Sequence, residues 1–462
     1  MIASGGRLAA AITVAASAAY IVVLTSGFAL VKAGVLSTPF GEGATAHVVL
    51  GVLSIAFLVV ALVVATVVVT NAFTLVTATR LRDIALRRLL GASARTERRR
   101  ILREGARLSL AASGVGLLVG AAGVVGLTIA AAAHREPGQA LAITDVVDPS
   151  IVLPLIALQG CVVLAAWRGS AAVVSADPAT ALGAAIVTES GGDGDRRIGW
   201  AARLLLATGL ILLGLSVLGG ALTPLAAFVG VAGGTVLAAG ILASATGILP
   251  RFLRLIARIL PRRGPAAIAR ATLAEHPART ARAALAITIG VSIVTMFAVA
   301  SASTNLSLRL MYAGTPLEDS ATSVIDDVLG IVGVLVAMIV LIAAVGLATS
   351  VALGTRLRGR EIAARRVLGQ SRRHAVISVV LETVVICATA TLAGLLLGAV
   401  LGWVGAQSVL GSALPWKMVV PAIPVSLVAV LAAGTLLVAV ASAVMPVRFV
   451  MTDSPIRAFA RA

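Results

Sequence analysis

The chain has 462 residues, 59 % of them hydrophobic and only 12 % charged, with a mean hydropathy of +1.07. A soluble protein of this length needs a far more polar surface, so the composition excludes one and places the chain in lipid. The net charge is nonetheless +18, and Lys32 and Lys417 are the only lysines among 37 basic residues. Because the arginines fall between long apolar runs, they point to a cytoplasmic membrane face rather than to nucleic acid.

A bilayer core needs about 20 apolar residues per helix. Runs of that length predict ten spans, near 9–31, 47–77, 106–133, 150–167, 200–218, 225–249, 282–302, 325–355, 376–407 and 421–446. The first, from Arg7 to Val31, is too long for the apolar core of a signal peptide. The runs at 47–77 and 325–355 exceed one bilayer width and should tilt or extend beyond it. A very short connection, Gly219 to Pro224, joins the fifth and sixth spans. After the sixth, Arg251, Arg254 and Arg258 share one helical face with Phe252, Leu255 and Ile259 opposite, which predicts a short interfacial helix ended by Pro261.

Segments 78–107, 168–203, 251–282, 356–373 and 448–462, with Arg7, hold 33 of the 35 arginines. The alternate connections hold Lys32, Arg135, Arg309 and Lys417 against eight acids: Glu42, Glu136, Asp145, Asp148, Glu318, Asp319, Asp326 and Asp327. By the positive-inside rule both termini are expected in the cytoplasm, which requires an even number of spans.

A repeat organises the chain. Arg80-Leu-Arg-Asp-Ile-Ala-Leu-Arg-Arg-Leu-Leu-Gly-Ala-Ser93 recurs as Arg358-Gly-Arg-Glu-Ile-Ala-Ala-Arg-Arg-Val-Leu-Gly-Gln-Ser371. From Asp83 and Glu361 onward the offset is constant, and it superposes Gly91 on Gly369, Glu104 on Glu382, Gly116 on Gly394 and Gly120 on Gly398. Asp177-Pro178 meets Asp453-Ser-Pro455 at nearly the same offset. Four apolar runs flank each copy in the same order, so the repeat is parallel rather than inverted. The expected architecture is an all-α polytopic membrane protein: a first four-helix unit (1–182), a flexible linker (183–199) around Glu189-Ser-Gly-Gly-Asp-Gly-Asp195, a two-helix spacer with the interfacial helix (200–265), and a second unit (266–462).

The repeated loop reads as a charged elbow. Asp83 to Leu90 forms a short amphipathic helix, Gly91 suits its termination by taking positive φ, and Ser93 suits the N-cap of a second helix running into the membrane. A topology signal needs only positive charge; it does not need Ile-Ala, Leu-Gly and Ser held in register twice. The elbow therefore reads as a docking surface for a cytoplasmic partner, formed by Asp83, Ile84, Arg87, Arg88, Leu90, Gly91 and Ser93, and again by Glu361, Ile362, Arg365, Arg366, Leu368, Gly369 and Ser371. The small-residue rows Gly116-x-x-x-Gly120 and Gly394-x-x-x-Gly398-x-x-x-Gly402 are expected to let helix backbones approach closely.

The pattern acid-Ile-Ala-x-Arg-Arg-x-Leu-Gly-x-Ser followed by a glycine-rich helix resembles the FtsX-like permeases of ABC transporters, relatives of the macrolide exporter MacB and the lipoprotein extractor LolC/LolE. The resemblance covers 7–182 and 270–462, and the segment Ala269 to Thr280 is similar to the family's entry helix. It implies a permease subunit worked by two copies of a separate ATPase, which would bind ATP and magnesium and push on the two elbows. One departure stands out: the longest outer loops, near 32–46, 134–149 and 303–324, are far too short for the large extracytoplasmic domain of those relatives. That favours a lipophilic or amphiphilic substrate handled within the membrane, for export or extraction. The alternatives are a mechanotransmitting scaffold of FtsX type that moves no solute, which the short outer loops disfavour, and a secondary transporter, which the lack of mid-membrane charge disfavours.

No chemistry of its own is legible. A P-loop needs Gly-Lys-Ser/Thr, but Lys32 precedes Ala33 and Lys417 precedes Met418. His47, His134, His276 and His374 are scattered, and Cys161 and Cys387 each sit alone in an apolar run, so no metal, cofactor or catalytic set is expected in this chain.

Overall fold

The computed structural model describes residues 2–36, 44–79, 81–132, 151–170, 199–275, 277–313, 333, 338, 370–426, 428–435 and 437. Among them there is no strand, and ten helices follow one another: α1 (Ile2–Leu36), α2 (Ala44–Thr79), α3 (Leu81–Leu89), α4 (Ala94–Ala132), α5 (Val152–Gly169), α6 (Trp200–Gly220), α7 (Ala226–Ala257), α8 (Gly264–Glu275), α9 (Pro277–Tyr312) and α10 (Arg372–Leu410). A further helical stretch begins at Val425. Six of these helices are long and apolar enough by themselves to cross a membrane, and α2 and α5 carry shorter apolar segments. The chain is a multi-pass membrane protein. The eighth predicted span lies outside the described residues apart from Gly333 and Met338.

Helices are the form such a sequence must take, because backbone polar groups in hydrocarbon need partners within the segment. Hydroxyl side chains within the spans obey the same rule. Ser17 donates to the Thr13 carbonyl at 2.8 Å, Thr66 to Leu62 at 2.7 Å, Thr288 to Ala284 at 2.9 Å and Thr389 to Val385 at 2.7 Å. Large side chains such as Leu118, Leu153, Leu218 and Leu396 are exposed and form the lipid-facing surface.

In the first unit α4 lies along α1, and α5 closes against α2 and α4. In the second, α10 lies along α9 in the same way. Among the described residues, the two units meet at an apolar cluster. Tyr20 and Leu24 of α1, Phe57 and Ala61 of α2, and Ile293 and Phe297 of α9 are buried together, with Met338 packed against them. Phe57 and Phe297 stack with ring centroids 4.0 Å apart.

The spacer helices α6 and α7 form a tight hairpin whose glycines admit the opposite backbone: a Cβ at Gly209 would lie 2.7 Å from the Leu237 nitrogen, and one at Gly240 2.9 Å from that of Leu206. The hairpin rests on α10 through Leu213, Leu237 and Val404, and Ser216 and Ser408 share a hydrogen bond of 2.6 Å. One expectation is corrected here. The arginine-bearing segment after the sixth span is not a separate helix; it is the end of α7, which continues through Pro250 to Ala257. Its amphipathic character remains, with Leu253 and Ala257 buried while Phe252, Leu255 and Ile259 are exposed. The entry segment 269–280 likewise falls on two elements, α8 and the start of α9.

Beyond α10 an irregular strap, residues 411–424, folds back over the ends of α9 and α10. Gln407 accepts from the Val419 amide at 2.7 Å and donates to the Lys417 carbonyl at 3.0 Å. Trp403 donates to the Val419 carbonyl, and the Val420 and Ala422 amides donate to Ser307 and Ser303. At its tip Lys417 takes a left-handed conformation, φ 55°.

Candidate functional site

The first elbow is a complete helix-break-helix unit. Its break is a Schellman motif: the Gly91 amide donates to the Arg88 carbonyl at 3.1 Å and the Ala92 amide to the Arg87 carbonyl at 2.9 Å. Gly91 has φ +101°, a conformation that costs an L-residue its Cβ clearance and a glycine nothing. Two residues later Ser93 caps α4, its Oγ accepting from the Thr96 amide at 3.2 Å and its carbonyl from the Glu97 amide. The cap gives one of the first amides of α4 a partner that the helix itself cannot supply, and the turn has one defined geometry.

α3 divides into two faces. Ile84 and Ala85 are buried, while Leu86, Leu89 and Leu90 are 46, 57 and 88 % exposed. Arg87 stands among the leucines, half exposed. Charged arginine-rich surface normally keeps leucines inside; here three of them face out from a fixed turn.

Two contacts that the sequence reading did not anticipate fasten this elbow. Arg87 Nη1 pairs with Glu97 Oε2 at 3.3 Å, bridging α3 and α4 across the break, and the glutamate side chain is only 7 % exposed. One residue on, Arg98 donates to the Trp167 carbonyl at the end of α5 at 2.7 Å, and its guanidinium lies 4.5 Å from the centre of the Trp167 ring. Glu97 reads in the sequence as one acid in a run of arginines, which gives no sign that it is buried.

Of the second elbow, Glu361, Ile362, Arg365, Arg366, Leu368 and Gly369 lie outside the described residues. Ser371 is described, and it caps α10 as Ser93 caps α4, its Oγ accepting from the His374 amide at 3.3 Å. His374 follows Ser371 at the spacing at which Thr96 follows Ser93, so the two caps coincide in the repeat.

The repeat glycines lie where helices touch. A Cβ at Gly116 would meet the Ala15 carbonyl and the Ala18 side chain; one at Gly120 would come 2.7 Å from the Val22 Cβ. In the second unit Gly394 faces the Thr288 carbonyl at 2.8 Å and Val291, Gly398 faces the Ser292 carbonyl and Thr295, and Gly402 faces the Met296 carbonyl. Ala15, Ala18, Ala19 and Val22 thus correspond to Thr288, Val291, Ser292 and Thr295, all in one register whose offset is shorter than that of the elbows. The fourth helices show a third register. Ser109 and Ser113 hold Gln159, which donates to Ser113 at 2.7 Å, and Thr391 donates to Thr435 at 3.0 Å. Ser113 and Thr391 keep the register of the elbows, whereas Gln159 and Thr435 fall into the slightly shorter one of Asp177 and Asp453.

The duplication has an independent counterpart in a comparison with family models. The model of the FtsX-like permease C-terminal region matches residues 55–176 and again 333–455, together just over half of the chain. The chain belongs to the FtsX-like permease family. Membership makes it an ABC-transporter-type membrane permease component, a class whose members are non-catalytic. No curated protein matches the chain. The first family segment begins in α2 and runs through the elbow, α4 and α5, and the second includes α10 and the helical stretch from Val425. The correspondence of α1 with α9 falls outside them and comes from the glycine contacts.

Proposed function

We propose that this FtsX-like permease is the membrane subunit of an ATP-driven exporter or extractor, worked by a separate ATPase through its two elbows. The arginine-rich face is cytoplasmic on this reading, both termini lie on that side, and the membrane is a bacterial inner membrane. Residues 1–182 and 266–462 act as two permease units in one chain, each offering one elbow to one copy of the ATPase, which supplies the ATP and magnesium chemistry. The substrate is lipophilic or amphiphilic, in keeping with apolar helix surfaces and short outer loops.

The observation that carries this reading is the first elbow's outward leucine face. Leu86, Leu89 and Leu90 are held by a Schellman turn and a serine cap, so their positions are set before any partner arrives. Burying three leucines in a partner's groove is worth several kcal/mol, on the order of 1.5–3 each, and a preset turn avoids the entropy of ordering them. The arginines beside them add charge that an acidic groove rim would match.

The test is co-purification of the permease with a cytoplasmic ATPase from native membranes, before and after Leu90→Asp combined with Leu368→Asp. Loss of the ATPase from the double variant, with the permease still inserted, is the expected result. An intact complex in that variant, or no ATPase with the unmodified chain, would overturn the proposal.

A further inference from the structure

We propose that the outward face of α4 binds an anionic phospholipid from the leaflet on the arginine-rich side, with the headgroup phosphate between Arg103 and Arg107 and an acyl chain along the helix beyond them. The site stands apart from the elbow's leucines and needs no ATPase.

The third helices of the two units are built alike but covered differently. The register of the caps places Arg103, Arg107, Ala111, Val115, Val119 and Gly126 of α4 on Leu381, Val385, Thr389, Ala393, Leu397 and Val404 of α10. Steps of four and seven residues put each set on one face of its helix. On α10 all six are buried or half-buried. Val385 is buried in one cluster with Leu249 and Leu253 of α7 and Leu273 of α8, and Val404 in another with Leu213 of α6 and Leu237 of α7. On α4 all six are exposed, Val115 and Val119 by 56 and 59 %. Among the described helices α4 packs chiefly on α1 and α5, and none takes the place that α7 has on α10.

The chemistry of the bare face selects its occupant. Where α7 and α8 cover a leucine and a valine of α10, α4 carries two guanidinium groups. Arg107 is the last charge on α4 before an uncharged run through Ala132, so the pair stands where the helix enters hydrocarbon. Side chains one turn apart start about 6 Å from one another, close enough for both guanidinium groups to hold one phosphate. Glu104, between them in sequence, is less exposed than either. Beyond Arg107 the face is apolar. An acyl chain reaching the bilayer midplane covers about 15 Å, or about ten residues of helix, and so passes Ala111 and Val115. A second copy of this chain is the wrong partner by charge: its α7 would bring Arg251 and Arg254 to the arginine pair, and its α4 would bring the same pair again. One amphiphile with a negative head matches both halves of the face.

Native mass spectrometry of the full chain, released from nanodiscs of phosphatidylcholine and phosphatidylglycerol in roughly equal parts, tests this. The unmodified chain should retain phosphatidylglycerol in preference to phosphatidylcholine. Arg103→Gln with Arg107→Gln should lower that preference on the order of thirtyfold, about fivefold for each arginine at the membrane surface. Arg95→Gln with Arg99→Gln removes the same charge from exposed sites farther from the membrane and should leave the preference nearly unchanged. Phosphatidylglycerol with a photoreactive group in its acyl chain should label Val115 and Val119, and the label should fall in the Arg103→Gln, Arg107→Gln variant. Equal retention of the two lipids by the unmodified chain, equal loss of preference in both double variants, or a co-purified polypeptide cross-linked at Val115 in place of lipid would overturn the proposal.

Discussion

The glycine seams make a sharp prediction, because glycines on the same helix differ in what a methyl group would meet. At Gly398 of α10 a Cβ falls onto the Ser292 carbonyl and lies 2.7 Å from the Thr295 Cβ and 3.0 Å from the Met296 nitrogen. Two of those three atoms are backbone of α9, so a side-chain rotation cannot relieve the clash. At Gly405, two turns further on, nothing lies within 4 Å. Gly→Ala in a helix interior gains about 0.5–1 kcal/mol from propensity wherever space allows. Forcing a methyl into a packed seam costs about 1–3 kcal/mol. Gly398→Ala should therefore destabilise the protein by about 1–2 kcal/mol net, and Gly405→Ala should leave it unchanged or stabilise it by up to about 1 kcal/mol. The first unit supplies an internal replicate: Gly116→Ala, against the Ala15 carbonyl, should lose stability, and Gly114→Ala, with no neighbour within 4 Å, should not. Reversible unfolding in mixed micelles, titrated with denaturing detergent, reads the difference. Should the two members of each pair agree to within about 0.5 kcal/mol, the seams are not close-packed and the helix correspondence drawn from them falls.

Three further outcomes follow from the elbow and the strap. Gly91→Ala should cost about 1–2 kcal/mol through its positive φ alone, since no atom beyond its own chain neighbours lies within 4 Å of the added methyl, and should appear as faster amide exchange at Gly91 to Thr96. Ser93→Ala and Ser371→Ala should each cost about 1 kcal/mol and free the Thr96 and His374 amides respectively, because each serine makes the same cap in its own unit. Gln407→Leu should release the strap: the Val419 amide and Lys417 carbonyl lose their partner, at about 1–3 kcal/mol, and limited proteolysis should cut between 411 and 424 in the variant first.

Much of this was legible because a bilayer leaves a sequence few choices. An apolar run of bilayer length between arginine clusters makes a span, and Gly91 stands out because a left-handed turn tolerates little else. The elbow's two faces were half legible. The spacing of Ile84, Leu86, Leu89 and Leu90 gave a helix, but which leucines faced outward depended on where α2 lay. The Arg87–Glu97 pair was not legible, since burial of one acid among arginines follows from the angle between α3 and α4. The register of α1 on α9 was hidden for another reason. What it preserves is the nearness of a backbone carbonyl to a glycine, and a carbonyl leaves no mark on the sequence: alanine at 15 and threonine at 288 serve equally. The separate interfacial helix was misplaced because α7 passes through Pro250, and a proline followed by arginines reads as a break.

The three registers also say how the two units can act on one another. The first helices, the elbows with their third helices, and the fourth helices each keep an offset of their own, so connections changed length while the contacts between helices kept their places. The stretch from the Ser93 cap to Gly120 and that from the Ser371 cap to Gly398 are equal lengths of two unbroken helices. At about 1.5 Å per residue each stretch is about 40 Å long. Each ends against the partner helix that carries the inter-unit cluster, α1 with Tyr20 and Leu24 or α9 with Ile293 and Phe297, which are counterparts in pairs in the register of the first helices. A displacement imposed at either cap thus arrives at the same aromatic seam over the same distance. Under the push proposed above, the first elbow, fastened by the Arg87–Glu97 pair, passes its movement to α4. Loosening that fastening should weaken what reaches the Phe57–Phe297 stack, so a cysteine pair placed at these two positions should change its ATP-dependent cross-linking yield on Glu97→Ala; a yield that Glu97→Ala leaves unchanged would refute this route.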